Sequence, residues 1–249
     1  MIEIIAHNMP RYINRYEAWR SIDEPKTNIM IHATEGPRTV EMFVNGEKIV
    51  NGVVISSQYV IDANFNIHLI PPNDSVLCFH VGDTDFRNIS GYRHNRKNSI
   101  GIEHENSGLM GSFDNRMYAK SAELIDYIIN YEKHPIRYII PHEFSSRKKL
   151  DPGVNWDWNS FENELRNCDL LFSSQSYTLT KKDKLWGTGK TFTWETRIIN
   201  FYQSLAGSSQ LENYLDQKDY QKEVNLKVIG TGICLIIIFI ILTLLLKEK

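Results

Sequence analysis

Residues 28–34 read NIMIHAT, an apolar run that closes on a histidine at position 32. The β-branched and apolar residues of this run predict a buried strand over Asn28–Ala33. A second run of the same form, RYIIPH at residues 137–142, predicts a strand over Arg137–Ile140. Because binding and catalytic residues concentrate at strand ends and in the following loops, His32 and His142 are the first candidate site residues.

Strand and helix patterns alternate around these two runs. Three further strands are predicted, at Gly52–Ile61, Ile67–Ile70 and Ser99–Glu103. One helix is predicted over residues 118–132, where apolar residues share one face: Ala122, Ile125, Ile128 and Ile129. A second helix is predicted over Trp156–Arg166, with Asn155 as its cap. This alternation is typical of a mixed α/β domain.

The chain divides into four parts by composition. Residues 25–168 form the α/β domain, and the apolar and aromatic residues of 1–24 are expected to pack onto it as an N-terminal extension. Residues 169–227 are polar and predict a stalk or a small accessory region. Within them, KKDKLWGTGKTFTWETR at 181–197 is typical of a hairpin over its own small core, although its aromatic and basic residues would also suit contact with a glycan or a membrane.

The fourth part, residues 228–246, reads VIGTGICLIIIFIILTLLL and contains no charged residue. At about 1.5 Å per residue, a helix of that length nearly matches a hydrocarbon core of about 30 Å. A helix buried in a protein core usually shows a polar face, which this segment lacks. We therefore expect a single-pass C-terminal anchor in a membrane, with an orientation that the lysines on both sides leave open.

Composition excludes several classes of protein. The 249 residues include 28 Lys and Arg against 30 Asp and Glu, a net charge of −2, so no nucleic-acid partner is expected. Three scattered cysteines are too few for a disulfide framework or for a zinc site made of cysteine alone: Cys78, Cys168 and Cys234.

His32, His142 and Asp151 form a pattern that suits a metal. Asp151 opens the turn DPG nine residues after His142. Zinc is commonly held by two histidines and one carboxylate, with a fourth position left for water. A single histidine after an apolar strand is more often packed or hydrogen-bonded than a ligand, so the pattern needs the support of other motifs.

Five short motifs supply that support, in one order along the chain: IHAT at 31–34, SSQYVID at 56–62, FHVG at 79–82, NSIGIEHEN at 98–106 and PHEFSSRKKLDPG at 141–153. Together they resemble the zinc-dependent N-acetylmuramoyl-L-alanine amidases, which are related to phage lysozyme-type amidases and to peptidoglycan-recognition proteins. The resemblance covers roughly residues 27–165. It implies a central mixed β-sheet flanked by helices, and a peptidoglycan or muropeptide substrate.

The resemblance also implies an activity and a set of roles. The activity is hydrolysis of the amide between N-acetylmuramic acid and L-alanine by a zinc-activated water. The Zn²⁺ ligands fall on His32, His142 and Asp151. Glu103 matches the carboxylate that handles the proton, and Lys149 matches the lysine that stabilises the developing oxyanion.

Two further positions of the resemblance bear on the site. His80 of FHVG matches a histidine of the substrate groove, and a buried structural role suits it equally well. Gln58 stands where many relatives have a histidine that supports the site.

Two alternatives remain open from the sequence. Glu105 is the second candidate for the acid–base carboxylate, because it shares the face of Glu103 along a strand while His104 faces the other side. The chain could also be a membrane-anchored peptidoglycan-binding receptor without catalysis. Recognition members of the family often lose the third metal ligand, and this chain keeps Asp151.

Overall fold

The computed structural model describes residues 2–7, 25–34, 38–50, 53–72, 76–81, 88–89, 92–93, 97–105, 112–145, 150–170, 175–184 and 191–201. The chain divides into two compact units. The first comprises Met1–Arg87 and Tyr92–Ser204, and the second comprises Asn88–Gly91 and Leu205–Lys249. Of the second unit, only residues 88 and 89 lie in the described ranges.

Twelve strands are present in the described residues. In chain order they are β1 (Ile4–Ala6), β2 (Asn28–Thr34), β3 (Ile49–Val50), β4 (Val53–Val54), β5 (Tyr59–Ile61), β6 (Ile67–Leu69), β7 (Asn88–Ile89), β8 (Tyr92–Arg93), β9 (Ser99–Glu105), β10 (Tyr138–Pro141), β11 (Gln175–Lys184) and β12 (Thr191–Asn200). Eight of them form one sheet in the order β1-β6-β5-β9-β2-β10-β12-β11.

The sheet is mixed, with a parallel centre. Strands β5, β9, β2 and β10 run parallel to one another. Outside this centre, β6 pairs antiparallel with β5, and β12 pairs antiparallel with β10 and β11. Every residue of β9, and every residue of β2 but the last, is buried. Burial on both faces is typical of central parallel strands and explains the apolar run Ile29–Ile31 of β2.

The helices are α1 (Thr39–Val44), α2 (Asn115–Asp126), α3 (His142–Ser145) and α4 (Trp158–Asn167), and α2 continues into a π-helical turn over Tyr127–Tyr131. The helix predicted over 118–132 therefore begins three residues earlier. The cap predicted at Asn155 is wrong, because α4 begins at Trp158. The carboxylate of Asp157 caps that helix by accepting the N–H groups of residues 159 and 160, at 2.9 and 3.2 Å.

One face of the sheet packs against α2 and α4 and forms the main core. Its sheet side chains come from alternate positions of the central strands: Ile29, Ile31, Ile100, Ile102, Tyr59 and Ile139. The helices contribute Ala122, Ile125, Trp158, Phe161 and Leu165. Because side chains alternate along a strand, the intervening residues project from the opposite face. The predicted α/β sheet flanked by helices is confirmed, and its opposite face is the one that carries the candidate site.

Several predicted strands are present with shifted bounds. The long strand predicted over Gly52–Ile61 is divided, since residues 55–58 separate β4 from β5. Residues 175–184 and 191–200, which the sequence assigned to a stalk or accessory region, pair as a hairpin. The hairpin continues the main sheet, because Ile199 of β12 pairs with Ile139 of β10.

Some sequence predictions fall outside the described residues. The anchor predicted at 228–246 does so entirely, and so does most of the extension predicted at 1–24. Residues 4–6 of that extension pair with β6 as β1. Within the part of the chain that the structure describes, no helix is long and apolar enough to cross a membrane.

Candidate metal centre

Two neighbouring strands bring His32 and His142 together. Strands β2 and β10 are parallel, and their register pairs Pro141 with Ile31. The next residue of each chain segment is a histidine, so both imidazoles lie near the carboxyl end of the sheet. Their ring centroids are 4.3 Å apart, and both side chains are buried.

Asp151 completes this group from the loop that follows α3. Its Oδ2 lies 2.9 Å from Nδ1 of His142 and 3.1 Å from Nδ1 of His32. The loop is held at its base because the Glu143 N–H donates to the Asp151 carbonyl at 2.9 Å. The three predicted ligands therefore meet, from a strand, a strand end and a loop, with exposures of 1%, 5% and 7% for His32, His142 and Asp151.

The electrostatics of the group favour an ionised carboxylate. Burial by itself raises the pKa of Asp151. The neighbouring His142, followed by His32, overcomes this effect through charge and hydrogen bonding and holds the pKa well below its ordinary value. An ionised carboxylate beside two imidazoles has the charge that a dication requires.

These three residues fit a zinc ion. Each offers one ligand atom, and the ligand atoms lie within 4.8 Å of one another. Around a tetrahedral zinc with bonds of about 2.0–2.1 Å, neighbouring ligand atoms are about 3.3 Å apart. The separations between Asp151 Oδ2 and the two Nδ1 atoms are close to that value. The donor set of two nitrogens and one oxygen is one that catalytic zinc sites use.

Glu103 lies on the same face of the sheet as the predicted ligand His32. The register of β2 and β9 pairs it directly with His32, and neighbouring strands are about 4.8 Å apart. Its side chain is buried, with 8% exposed. A carboxylate at this position is next to the ligand group, as its predicted role requires.

Glu105 has a different environment from Glu103. Its Oε1 accepts the backbone N–H of Thr39 at 2.7 Å, and its Oε2 accepts the N–H of Ala63 at 3.2 Å. Both carboxylate oxygens of Glu105 thus accept backbone N–H groups from outside its own strand. These contacts give Glu105 a structural role, and the acid–base role of Glu103 stays a prediction.

The face assignment predicted for His104 agrees with its contacts. Its imidazole lies on the core side, 4.7 Å from the ring of Trp156. Its Nδ1 contacts the carbonyl oxygen of His32 at 2.8 Å, and its Nε2 contacts Ser121 Oγ at 3.0 Å. His104 therefore supports the backbone of the predicted ligand His32 from behind the sheet.

His80 contacts the predicted ligand His32 and is 5% exposed. Its Nδ1 is 3.0 Å from Nε2 of His32, and its Nε2 is 3.2 Å from Ser99 Oγ. Burial, reinforced by His32, His142 and Lys26, lowers the pKa of His80 well below its ordinary value. The substrate-binding role predicted for it stays a prediction. The second predicted catalytic residue, Lys149, lies outside the described residues.

Gln58 and Gly101 contribute to the site in ways that the sequence did not reveal. The Gln58 side chain accepts the Gly101 N–H at 2.8 Å and donates to the Val76 carbonyl at 2.9 Å, so it joins β9 to the segment that carries His80. A Cβ on Gly101 would lie 2.5 Å from Ser57 Oγ and 2.7 Å from the His80 ring. A glycine inside a strand signals such a close approach.

Comparison with known proteins supports the assignment of a family. The family model described as N-acetylmuramoyl-L-alanine amidase matches residues 23–154, more than half of the chain. This range contains every predicted ligand. No curated protein sequence matches the chain.

Solved structures resemble the fold. The crystal structure of an AmpD derivative shares 18% identity, with a TM-score of 0.51 over 66% of this chain and 96% of that one. The endolysin amidase LysCS from Clostridium intestinale shares 16% identity, with a TM-score of 0.48 over 67% and 97%. Drosophila PGRP-LB shares 13% identity, with a TM-score of 0.46 over 64% and 96%. The AmpD likeness shows a common fold, and the family match shows the relationship: the chain belongs to the N-acetylmuramoyl-L-alanine amidase family.

Proposed function

We propose that this protein is a zinc-dependent peptidoglycan hydrolase that cleaves the amide between N-acetylmuramic acid and L-alanine. One observation carries the proposal. The His32, His142 and Asp151 side chains meet at the end of the parallel strands, in a chain that belongs to this amidase family. A receptor would need a binding groove but no such group of ligands.

The two Nδ1 atoms and the Asp151 carboxylate would hold the ion. When bound, zinc supplies a water of lowered pKa and polarises the scissile carbonyl. The protein's part is to keep the ligands in place. The contacts from Glu143 to Asp151 and from His104 to the His32 carbonyl do this through the backbone.

Glu103 is proposed as the general acid–base group. As a carboxylate beside His32, it takes the proton of the attacking water and returns it to the leaving amine of L-alanine. Lys149 is proposed to offset the negative charge that develops on the carbonyl oxygen. Its proposed role rests on the sequence motif alone.

The proposal includes a membrane location. The uncharged segment 228–246 has the length of a single span, and it follows the catalytic residues by about 75 positions in the chain. An amidase held in this way would act on cell-wall material within reach of the membrane.

Zinc content separates the enzyme from a receptor on the same fold. The purified full-length protein should contain about one zinc ion per chain, and His142→Ala should lose it. His68→Ala is the matched control, since His68 is also buried and bonded to an aspartate but lies outside the ligand group. That variant should keep its zinc. A zinc-free wild type that still binds peptidoglycan would support the receptor and contradict the enzyme.

A further inference from the structure

His80 contacts His32 on the side of the ring that faces away from Asp151. The amidase reaction itself gives this contact no role. We infer that His80 is a positioning residue: its Nδ1 accepts the Nε2–H of His32, and this bond fixes the ring and tautomer with which His32 presents Nδ1 to zinc. The inference rests on the zinc site of the proposed function. It concerns how that site is kept in shape.

The two nitrogens of His32 face different partners. Nδ1 is 3.1 Å from Asp151 Oδ2, in the ligand group, while Nε2 is 3.0 Å from His80 Nδ1. A neutral imidazole carries one proton, so a ring that binds metal through Nδ1 must donate from Nε2. Histidine ligands of metals nearly always have an acceptor for that second N–H, and the acceptor fixes the ring's orientation.

His80 is equipped to be that acceptor. When Nδ1 accepts from His32, the single proton of a neutral His80 lies on Nε2, which faces Ser99 Oγ at 3.2 Å. Ser99 Oγ can accept that proton, so one tautomer of His80 satisfies both of its contacts, and this tautomer accepts the Nε2–H of His32. The two rings meet edge to face with centroids 5.2 Å apart.

The surrounding backbone holds His80 in position. Gly101 leaves the space that the ring occupies, since a Cβ there would lie 2.7 Å from its Cγ and 2.9 Å from its Nδ1. Gln58 ties the strand of Gly101 to the segment of His80. The space at Gly101 and the hydrogen bonds of Gln58 both lie at this contact. A histidine that only filled space would need neither of them.

The test measures zinc affinity by competition with a chelator. His80→Ala should weaken binding by about 10- to 100-fold, the usual loss when a partner of a metal ligand is removed. His80→Asn should recover most of the loss, because its Oδ1 can take the place of the imidazole Nδ1 as acceptor. His7→Ala is the matched control. It removes another histidine–histidine contact, from His7 Nε2 to His68 Nδ1 at 3.0 Å, outside the ligand group, and should leave zinc affinity unchanged.

A spectroscopic measurement complements the affinities. In the zinc-loaded wild type, ¹⁵N NMR should show His32 and His80 each protonated at Nε2. Equal affinities for wild type and His80→Ala, or protonation of His80 at Nδ1, would overturn the inference while leaving the proposed function intact. A wild type that binds no zinc would overturn the proposed function and this inference together.

Discussion

Two glutamates on one strand show how a residue's neighbours decide its role. Glu103 and Glu105 are both buried and share a face of β9. Glu103 pairs in register with the predicted metal ligand His32, while Glu105 pairs with Thr34 and holds two backbone N–H groups. The same type of side chain thus lies beside the predicted ligand His32 at one position and holds backbone from other elements two residues later.

Glu103→Gln should keep zinc and lose turnover. The amide fills the same volume but cannot accept the proton of the attacking water, so kcat should fall by about 10²- to 10⁴-fold. Glu105→Gln should instead keep most of its turnover and lose stability. Its amide NH₂ would face a backbone N–H, at a cost of about 1–3 kcal/mol in the free energy of unfolding.

Steady-state kinetics and urea denaturation of the two variants check these outcomes. If Glu105→Gln lost turnover while Glu103→Gln kept it, the acid–base role would move to Glu105. If both stayed active, no carboxylate of this strand would carry the proton.

Asp151→Ala should abolish zinc binding and activity together. The change removes the only anionic ligand of the group, and with it the net attraction for a dication. Asp157→Ala is a suitable control, because that aspartate lies six residues later and caps α4. The control should cost about 0.5–2 kcal/mol of stability, as cap removal usually does, and should leave zinc content unchanged. Zinc bound stoichiometrically by Asp151→Ala would contradict the ligand assignment.

At the scale of elements, side chains from the sheet support short helices and loops. Arg38, at the start of α1, makes no side-chain cap and has a φ of 78°. The carboxylate of Glu105 takes over this task by accepting the Thr39 N–H from a neighbouring strand. In the same way, His104 joins the sheet to α2 through Ser121.

The buried His104 predicts a loss of stability in acid. Burial lowers its pKa from 6.5 to about 4, so the folded state keeps a neutral ring. In the unfolded chain, His104 has an ordinary pKa and binds a proton below about pH 6.5. In the folded chain it binds that proton only below about pH 4. Stability therefore falls as the pH drops through this window, by up to about 1.4 kcal/mol per pH unit from this group.

Urea denaturation across that window measures the slope. His104→Asn removes the titrating ring while an amide N–H can still reach the His32 carbonyl. Its free energy of unfolding should depend less on pH than that of the wild type. Equal slopes for the two proteins would show that His104 does not cause the loss.

The sequence predicted the parts of the site that depend on local patterns. Apolar runs ending in His32 and His142 are visible in the sequence, and so is the alternation that places Glu103 and Glu105 on one face. The hydrogen bonds that Glu105 and Gln58 make to backbone groups were not predictable, because their partners lie far away in the chain. The sheet position of β11 was missed for another reason. An outer strand such as QSYTLTKKDK, rich in polar residues, has little apolar pattern to recognise it by.

At the scale of the whole molecule, the predicted anchor and the metal centre are separate features of the chain. The predicted ligands and Glu103 all precede position 152, and the predicted span begins at 228. Deleting residues 228–249 should therefore move the protein from the membrane fraction to the soluble fraction, with turnover of soluble muropeptides unchanged. Fractionation and kinetics check this. Loss of turnover in a folded truncated protein would count against an independent anchor.

The chain ends that the enzyme releases from peptidoglycan identify the bond that it cleaves. Purified peptidoglycan is digested with the zinc-loaded full-length protein, and the new chain ends are identified by mass spectrometry. Hydrolysis of the proposed amide should leave free lactyl carboxylates on N-acetylmuramic acid and new amino termini on L-alanine, both absent after treatment with the Asp151→Ala variant. Reducing sugar ends, or peptide ends inside the stem, would contradict the proposed function.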